Sequence, residues 1–349
     1  MSIAILDDLM RADITPLARA SDFTPQTFEF SFRRTIEGWA GDVAGWSEPR
    51  SPRDDRSAIS VLPSNSPAPM MNVTASAWLA GIPLFIKPSR IDRDFARAWR
   101  DFAKKHFPGL RIDVVEQFDP ADPDYLIVFG SDETVAFLRE ARGRSEGFIG
   151  YGHKFSLAYV EDVSRKTAAK AADDIVAWDQ SGCLSPQAVF VVGGHERDFS
   201  AHLAKELKER QQRLPRRAVS PAASLAIRAL RMNVRMRPDG LVFSSEEDTS
   251  WSVLCDDSPT LEPTPLERTV WVKPIERWEN MRDVTERDTH HIEAVGVAAS
   301  ARRFTELQRG EPIAGSVIPL GKMQSPSLSR PHGGIAPLWQ WLNSGLKQE

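Results

Sequence analysis

The chain alternates between short apolar runs and segments in which apolar side chains recur every three to four residues. The short runs are rich in β-branched and aromatic residues and predict buried strands. They lie at residues 59–62, 81–86, 111–115, 124–129 and 155–160. Between them, Phe95, Trp99, Phe102 and His106 recur at the spacing of one helix face. The alternation from 59 to 178 predicts a parallel, doubly wound sheet.

The second half of the chain shows the same two periods with longer separations. Further strands are predicted at residues 188–192, 241–243, 269–272 and 291–297, with helices over 163–178 and around 199–207. We therefore expect an α/β protein in four parts. These are a helical or irregular segment at 1–58, a cofactor-binding domain at 59–176, a catalytic domain at 177–325, and an apolar tail at 326–349 that docks on the body.

Composition excludes several classes of protein. The chain has 349 residues, of which 41% are hydrophobic and 26% charged, as in ordinary soluble globular proteins. Its net charge of -4 gives no general attraction to nucleic acid or to an anionic membrane. No apolar run is long enough to span a membrane, and Asp7 and Asp8 interrupt the first apolar run too early for a signal peptide. We expect a cytoplasmic protein that binds neither nucleic acid nor membrane.

Two further features of composition concern cysteine and arginine. Two cysteines are too few for a disulfide framework or a cysteine-rich zinc site, and we expect no metal centre. A basic cluster is formed by Arg210, Arg213, Arg216 and Arg217. Because the chain as a whole is acidic, this cluster is interpreted as the solvated end of a helix rather than a nucleic-acid surface.

Cys183 lies in a turn of small residues between a helix-like segment and the apolar run at 188–192. A thiol at the end of an element is accessible to substrate, and the thiolate is its reactive form. Backbone N–H groups in a glycine-containing turn can stabilise that thiolate and an oxyanion beside it. The alternative is an inert buried cysteine, which is common in globular proteins.

Polar residues follow two of the predicted strands. Asn65 stands between two prolines after 59–62, and such a turn holds its amide where it can donate to a reacting oxygen. Lys87 follows 81–86 at the carboxyl end of a strand, where open α/β sheets bind ligands, and Ser89 is placed to cap the next helix. The alternatives are an ordinary loop asparagine and a solvated lysine.

A third strand, at 124–129, runs directly into Gly130 and Ser131. Ser131 is the expected N-cap of a helix that carries two acids in its first turn. Such a junction can present free N–H groups to a phosphate. The common nucleotide-binding fingerprints, GxGxxG and GxxxxGK[ST], do not occur.

The order of these motifs resembles that of the aldehyde dehydrogenase superfamily. The turn with an asparagine between prolines, Lys-Pro-Ser, Phe-Gly-Ser, Gly-x-Gly-x-Lys and a cysteine after Asp-Gln follow one another along the chain. The run Cys-Leu-Ser-Pro-Gln at 183–187 is most similar to the acyl-CoA reductase branch, the fatty-acid reductase component of bacterial luciferase systems. The resemblance covers roughly 59–345. It implies an aldehyde dehydrogenase-like fold with a doubly wound cofactor domain and an α/β catalytic domain.

The resemblance also implies roles for individual residues. Cys183 is the expected nucleophile, and Asn65 the expected donor to the oxyanion. The expected cofactor-binding residues are Lys87 and Ser89 in Lys-Pro-Ser, Gly130 and Ser131 in Phe-Gly-Ser, and Glu293 in Glu-Ala-Val-Gly, which corresponds to the glutamate that holds the nicotinamide ribose.

Two departures from the superfamily pattern bear on the reaction. Gly150 stands where oxidising members have the glutamate that activates water, so hydrolysis of an acyl-cysteine should be slow and reduction is favoured. Arg90 stands beside Lys-Pro-Ser, where relatives that prefer NAD often have a glutamate. A cation there attracts a 2′-phosphate, which predicts NADPH, unless the arginine points to water.

The sequence therefore predicts an NADPH-dependent reductase that takes an acyl group from acyl-CoA or a carrier thioester onto Cys183 and reduces it to the aldehyde. Candidates for the base that activates the thiol are His153, His195, His290, His291 and His332, of which His291 and His153 rank first. The alternative is a non-reducing acyl-transfer or scaffold subunit with the same fold. An acyl-activating partner enzyme and a homo-oligomer are further expectations.

Overall fold

The computed structural model describes residues 2–43, 56–62, 66–144, 146–286, 288–310 and 315–344. Contacts among these residues are concentrated in two compact units. The first unit comprises the described residues within 1–21, 32–153 and 325–349, and the second comprises those within 22–31 and 154–324.

The chain begins with helices and then enters a strand-helix alternation. The helices are α1 (Ser2–Arg11), α2 (Thr15–Ala20), α3 (Pro25–Gly38) and α4 (Ala40–Val43). The alternation consists of β1 (Ala58–Val61), α5 (Ala68–Ala80), β2 (Leu84–Lys87), α6 (Arg93–His106), β3 (Ile112–Val114), β4 (Tyr125–Phe129), α7 (Asp132–Arg142) and β5 (Phe148–Tyr151).

The sheet of the first unit has the strand order β3-β2-β1-β4-β5 over the described residues, and every neighbouring pair is parallel. The order changes direction between β1 and β4, which is the position where open α/β sheets bind dinucleotides. Helix α6 packs through the predicted face of Phe95, Trp99, Phe102 and His106, all of which are buried. The Trp99 indole donates to Thr74 of α5 at 2.9 Å.

The remaining elements follow in chain order. They are β6 (Phe155–Val160), α8 (Arg165–Val176), β7 (Pro186–Val192), α9 (Glu196–Arg213), α10 (Pro221–Arg235), β8 (Leu241–Ser244), β9 (Ser252–Cys255), β10 (Thr269–Ile275), α11 (Met281–Thr285), β11 (Ile292–Ala298), α12 (Ala301–Arg309), β12 (Val317–Pro319) and α13 (Leu338–Ser344).

The sheet of the second unit has the strand order β12-β11-β6-β7-β10-β9-β8, with β8 antiparallel to β9 and the other described pairs parallel. Its central strands are buried on both faces, as the continuous apolar sequence of β6 predicts. Helix α9 packs on one face through Phe199 and Leu203. Helix α10 packs through Leu230 and Val234 in a separate core cluster.

The division between the two units differs from the boundary predicted at 176/177. The contacts divide the chain between His153 and Lys154, because β6 pairs with β7 and β11, and α8 packs against α9. The described residues of the predicted tail at 326–349 all belong to the first unit, whereas residues up to Gln324 belong to the second unit. Within the first unit, α13 packs on α5, and Trp341 is buried.

Candidate active site

Cys183 lies in the turn that immediately precedes β7 and is half-buried. The Ser185 N–H donates to the Gly182 carbonyl at 2.9 Å and closes this turn. The carbonyl of Cys183 itself accepts a hydrogen bond from the Ser156 hydroxyl of β6 at 2.7 Å. The thiol therefore lies on a backbone that is fixed from both sides, at the amino-terminal edge of the second sheet.

The residues that lead into this turn have an unusual backbone conformation. Trp178, Asp179 and Gln180 have φ angles of 50°, 50° and 67°, in the left-handed region that side chains other than glycine rarely adopt. Each such residue costs roughly 1–2 kcal/mol. The strain requires compensating interactions, and all three side chains are completely buried.

Asp179 supplies one of these interactions through a buried ion pair. Its Oδ1 lies 2.8 Å from Arg268 Nε and 2.6 Å from a terminal nitrogen of the same guanidinium, and both side chains are inaccessible to solvent. Its Oδ2 accepts the backbone N–H of Arg217 at 3.1 Å. Arg268 also donates to the Leu214 carbonyl at 2.7 Å, so its charge is well hydrogen-bonded.

Gln180 supplies the other interactions. Its Oε1 accepts the Thr269 N–H at 2.8 Å, and its amide donates to the carbonyls of Thr269 and Pro186 at 3.1 and 2.9 Å. The Asp-Gln lead-in therefore ties the cysteine turn to the start of β10. Residues 266–268, just before β10, form a second left-handed turn with φ between 53° and 62°.

The arginine cluster at the end of α9 differs from its predicted role as a solvated helix end. Arg217 donates to the Ser181 hydroxyl at 2.9 Å and lies 3.2 Å from a Glu267 carboxylate oxygen. Arg216 donates to the Glu267 carbonyl at 3.1 Å. Arg210 is largely buried beside Asp173. Three of the four arginines thus have intramolecular partners, and Arg217 holds the turn two residues before Cys183.

Gln324 contacts the turn from another direction, and sequence analysis did not identify it. Its amide nitrogen lies 3.2 Å from the Ser185 hydroxyl, and both side chains are buried. A Cβ placed on Gly182 would lie 3.6 Å from Gln324 Oε1. Gln324 is 139 residues from Ser185 in the chain, so no local pattern could indicate the pair.

Glu293 lies at the same edge of the sheet. The register of β11 against β6 shifts between Ile292 and Ala294, which makes Glu293 the extra residue of a β-bulge. A matching shift between β6 and β7 makes Gln187 an extra residue on the other side. Bulges re-aim side chains and are common beside active sites. Because β6, β7 and β11 are parallel neighbours, Glu293 and the Cys183 turn share the amino-terminal edge.

The histidines predicted as bases lie in different parts of the structure. The rings of His290 and His291 contact each other at 3.9 Å between centroids, just before β11. Lys154 Nζ donates to the His290 carbonyl. His153 is exposed in the first unit, and its N–H donates to Asp132 at 2.9 Å. His332, also in the first unit, stacks on Tyr151 with 4.4 Å between ring centroids. The role of each as a base stays a prediction.

In the first unit, Lys87 ends β2 and is half-buried, with Nζ 3.3 Å from the Pro88 carbonyl. Ser89 Oγ accepts the Asp92 N–H at 3.4 Å and lies 3.0 Å from the Asp92 carboxylate. The serine therefore closes the turn before α6, but the N-cap of that helix is Asp92, so the prediction that Ser89 caps it is wrong. Arg90 is exposed in that turn. Asn65 lies outside the described residues, so its oxyanion role stays a prediction.

Gly130 and Ser131 connect β4 to α7 as predicted. Ser131 Oγ accepts the Thr134 N–H at 3.3 Å, which confirms it as the N-cap. A Cβ on Gly130 would lie 3.2 Å from Thr134, so this strand and helix meet closely. A hydrogen bond from Ser131 lowers the pKa of Glu133 and keeps this first-turn carboxyl ionised. The helix start therefore carries negative charge of its own.

Searches of the described ranges gave two negative results. In them, no group of three or more His, Cys, Asp or Glu side chains is arranged to hold a metal ion. No described helix combines the length and the apolar character needed to cross a membrane.

The arrangement was then compared with known proteins. A family model described as acyl-CoA reductase (LuxC) matches residues 56–343. The chain belongs to this acyl-CoA reductase family. A curated relative is the long-chain acyl-protein thioester reductase of Vibrio harveyi, 22% identical over 167 residues. That match covers 47% of this chain and 34% of the relative, so the chain matches about a third of that relative's length.

Solved structures of low sequence identity share the fold of this acyl-CoA reductase family member. Aldehyde dehydrogenase 21 from Physcomitrella patens is 13% identical, with a TM-score of 0.70 over 99% of this chain and 82% of that chain. An aldehyde dehydrogenase from Bacillus cereus is 16% identical, with a TM-score of 0.68 over 97% and 78%. The predicted aldehyde dehydrogenase-like α/β fold is confirmed.

Gly150 lies where the structure leaves little room for a side chain. It lies in β5, and a Cβ built on it would be 2.2 Å from Val135 Cγ1 of α7. Any side chain at this position would require α7 or Val135 to move. The packing of the first unit thus disfavours any side chain at Gly150, including a glutamate.

Proposed function

We propose that this protein is a nicotinamide-dependent reductase that takes an acyl group from a thioester onto Cys183 and releases it as an aldehyde. Membership of the acyl-CoA reductase family supports the reaction class, and the name of the Vibrio harveyi relative supports a thioester substrate. The observation that carries the assignment to Cys183 is its position in a half-buried turn supported by a buried network.

The chemistry of the first step requires only this chain and the thioester. The Cys183 thiolate attacks the thioester carbonyl, a new carbon-sulfur bond forms, and the donor thiol leaves after it takes up a proton. The proposed donor to the oxyanion is Asn65, together with a backbone N–H of the cysteine turn. His291 is the proposed base for the thiol, because it lies at the start of β11 on the same sheet edge.

Residues of the first unit fit a dinucleotide. The parallel sheet changes direction between β1 and β4, and Lys87 ends the neighbouring strand β2 with ammonium donors available besides the one used by Pro88. We propose Lys87 and Ser89 for the adenosine ribose, Gly130 and Ser131 for the phosphates, and Glu293 for the nicotinamide ribose. When bound, the cofactor supplies the hydride that converts the acyl group to the aldehyde.

The absence of a side chain at Gly150 favours reduction over hydrolysis. Without a carboxylate there, water near the acyl-cysteine lacks the base that the superfamily uses to activate it. The acyl group then stays on Cys183 until it is reduced or removed by another thiol. This supports aldehyde, rather than free acid, as the product.

The experiment that tests the function combines two readouts. The protein is incubated with acyl-CoA of several chain lengths, and the acyl mass on Cys183 is measured by peptide mass spectrometry. NADPH is then added, and its oxidation is followed together with aldehyde release. A reductase gains acyl mass and loses it as NADPH is consumed. Acyl mass without NADPH oxidation would indicate an acyl-transfer protein, and no acyl mass would indicate a scaffold.

NADPH is the proposed cofactor because the cation of Arg90 follows Lys-Pro-Ser in the turn after β2, where it could pair with a 2′-phosphate. In Arg90→Glu, an acid would repel the 2′-phosphate and accept a hydrogen bond from the 2′-hydroxyl of NADH. We expect kcat/KM for NADPH to fall about tenfold relative to NADH. Arg93→Glu, which removes a cation three residues later, is the matched control. An unchanged NADPH to NADH ratio in Arg90→Glu would contradict the proposal.

A further inference from the structure

Helix α10 has a solvent-facing apolar stripe. Leu225, Met232 and Met236 are 69%, 57% and 78% exposed, far more than is usual for such side chains. Their spacing of seven and four residues places them on one line along the helix. Ala229 is also exposed and extends the stripe. Methionine side chains are flexible and polarizable, which suits a surface that adapts to a protein partner.

The opposite face of α10 is packed against the protein core, so the exposed apolar stripe is not the face that holds the helix in the fold. Ile227 and Val234 are fully buried, and Leu230 and Val234 belong to the core cluster under the sheet. Arg231 lies on this buried face and donates to the Asp248 and Trp251 carbonyls at 2.7 and 2.8 Å. The helix is therefore anchored, and its outer face is left for another molecule.

Positive charge accompanies the stripe. Arg228 and Arg235 are exposed, lie seven residues apart, and form a row along one flank of the stripe. Burial, together with the positive charges of Arg235 and Arg228, lowers the pKa of Arg231 to about 10. The segment 210–238 contains eight arginines and no acid, although the chain has a net charge of -4.

Helix α10 begins close to the Cys183 turn. Its N-cap, Ser220, comes three residues after Arg217, whose side chain donates to Ser181. Three residues span at most about 10 Å. The amino-terminal end of α10 therefore lies close in the chain to the arginine that supports the cysteine turn.

We infer that the outer face of α10 docks an acidic, helical protein that carries the acyl group as a thioester. This inference rests on the proposed function, because it names the donor of the acyl group. The acidic side chains of such a partner would pair with Arg228 and Arg235, while its apolar side chains cover Leu225, Met232 and Met236.

Charge selects this partner over a second copy of the chain. Helix α10 contains no acidic residue, so two copies docked through this face would supply no counter-charge to either arginine row. An anionic membrane is less well matched, because the stripe offers three large apolar side chains and no aromatic anchor. Both occupants are nevertheless distinguishable by experiment.

The test compares two acyl donors. The probes are a bacterial acyl-carrier protein loaded with a hexadecanoyl chain and hexadecanoyl-CoA. In Arg228→Glu/Arg235→Glu, we expect kcat/KM for the carrier protein to fall about tenfold or more, and kcat/KM for the CoA ester to stay within about twofold. Met232→Glu should show the same selective loss. The matched control is Lys205→Glu/Lys208→Glu, with the same charge change on exposed positions of α9, which packs in the other core cluster.

Binding is measured separately from turnover, so that failure of the proposed function does not obscure the result. Calorimetry with the Cys183→Ala protein should give a Kd for the carrier protein that rises about tenfold when Arg228 and Arg235 are reversed. This holds even if neither donor is reduced. The inference would be overturned if the carrier protein did not bind the Cys183→Ala protein with its native α10. It would also be overturned if the arginine reversals lowered kcat/KM equally for the carrier protein and the CoA ester.

Two further outcomes would assign the face to another occupant and overturn the inference. One is binding to phosphatidylserine vesicles that is lost in Arg228→Glu/Arg235→Glu while carrier binding is retained. The other is a concentration-dependent dimer that dissociates in Met232→Glu, measured by analytical ultracentrifugation, with unchanged carrier binding.

Discussion

The two cysteines of this chain belong to the second unit and differ in their surroundings. Cys183 precedes β7 in a half-buried turn, whereas Cys255 ends β9 and is fully buried. Burial raises the pKa of the Cys255 thiol to about 11, an effect that a hydrogen bond with Ser200 only partly offsets. The thiolate of Cys255 is thus disfavoured by its environment, and the residue acts as a small hydrophobic side chain.

A strained, hydrogen-bonded backbone precedes Cys183, whereas Cys255 has ordinary strand packing. The Cys183 turn is preceded by three left-handed residues and held by Asp179, Gln180 and Gln324 through buried hydrogen bonds. Cys255 lies in regular strand geometry opposite Leu241 and Val272. Strained backbone supported by buried polar groups is typical of a functional site, and ordinary strand packing is not.

The largest expected effect separates the two thiols by activity. Cys183→Ala should lower aldehyde formation about a thousandfold or more, because it removes the atom proposed to form the acyl bond. Cys255→Ala should retain activity within about threefold, since that thiol only fills space. NADPH oxidation and acyl mass measure both. Retained acylation in Cys183→Ala, or loss confined to Cys255→Ala, would reverse the assignment.

The next effect concerns the support of the Cys183 turn. Asp179→Ala leaves the Arg268 guanidinium buried without its carboxylate, and the cost expected for breaking a buried pair is about 3–5 kcal/mol of the free energy of unfolding. Denaturant unfolding measures it. Asp198→Ala is the control, because Asp198 is an exposed acid in the first turn of α9. Equal stability of the two variants would show that the pair does not hold the turn.

A smaller effect follows from the pKa of Cys255. A thiol with a pKa of about 11, rather than 9.0, has about one hundredth of the thiolate at pH 8. Iodoacetamide should therefore label Cys255 about a hundredfold more slowly at pH 8 than an exposed cysteine of ordinary pKa in a reference peptide, and more slowly than Cys183, as measured by peptide mass spectrometry. The rate at Cys255 should keep rising up to about pH 11, as long as the protein stays folded. Similar rates at pH 8 would contradict the contrast between the two sites.

Sequence patterns predicted the features that depend on local chemistry. The strand-helix alternation, the buried face of α6 and the Ser131 N-cap could be predicted because spacing and capping are local. Helix α10 was not predicted, since Arg231 lies on its buried face and Leu225 on its exposed face, which obscures the amphipathic pattern. The boundary between the two units depends on which sheet contains β6, and the hydrophobic pattern of a strand does not indicate which strands it pairs with.

The support of the cysteine turn depends on contacts between distant residues. Asp179 and Gln180 could be noted as a motif, but their partners Arg268 and Thr269 lie 89 residues away. The left-handed conformation at Trp178 could not be predicted, because the residue is not the glycine that usually adopts it. A family resemblance could select Cys183 as a candidate nucleophile, whereas only the fold could show which residues hold its turn.

The smallest expected effect tests the contact between Gln324 and Ser185. Gln324→Ala removes the amide that lies 3.2 Å from the buried Ser185 hydroxyl, so the turn should be less well fixed and acylation of Cys183 should slow about tenfold. Ser185→Ala should have a similar effect, and the double variant should be no slower than either single one, because both remove the same hydrogen bond. Stopped-flow release of the donor thiol measures the step. Additive losses would mean that each side chain affects the turn separately and not through the hydrogen bond between them.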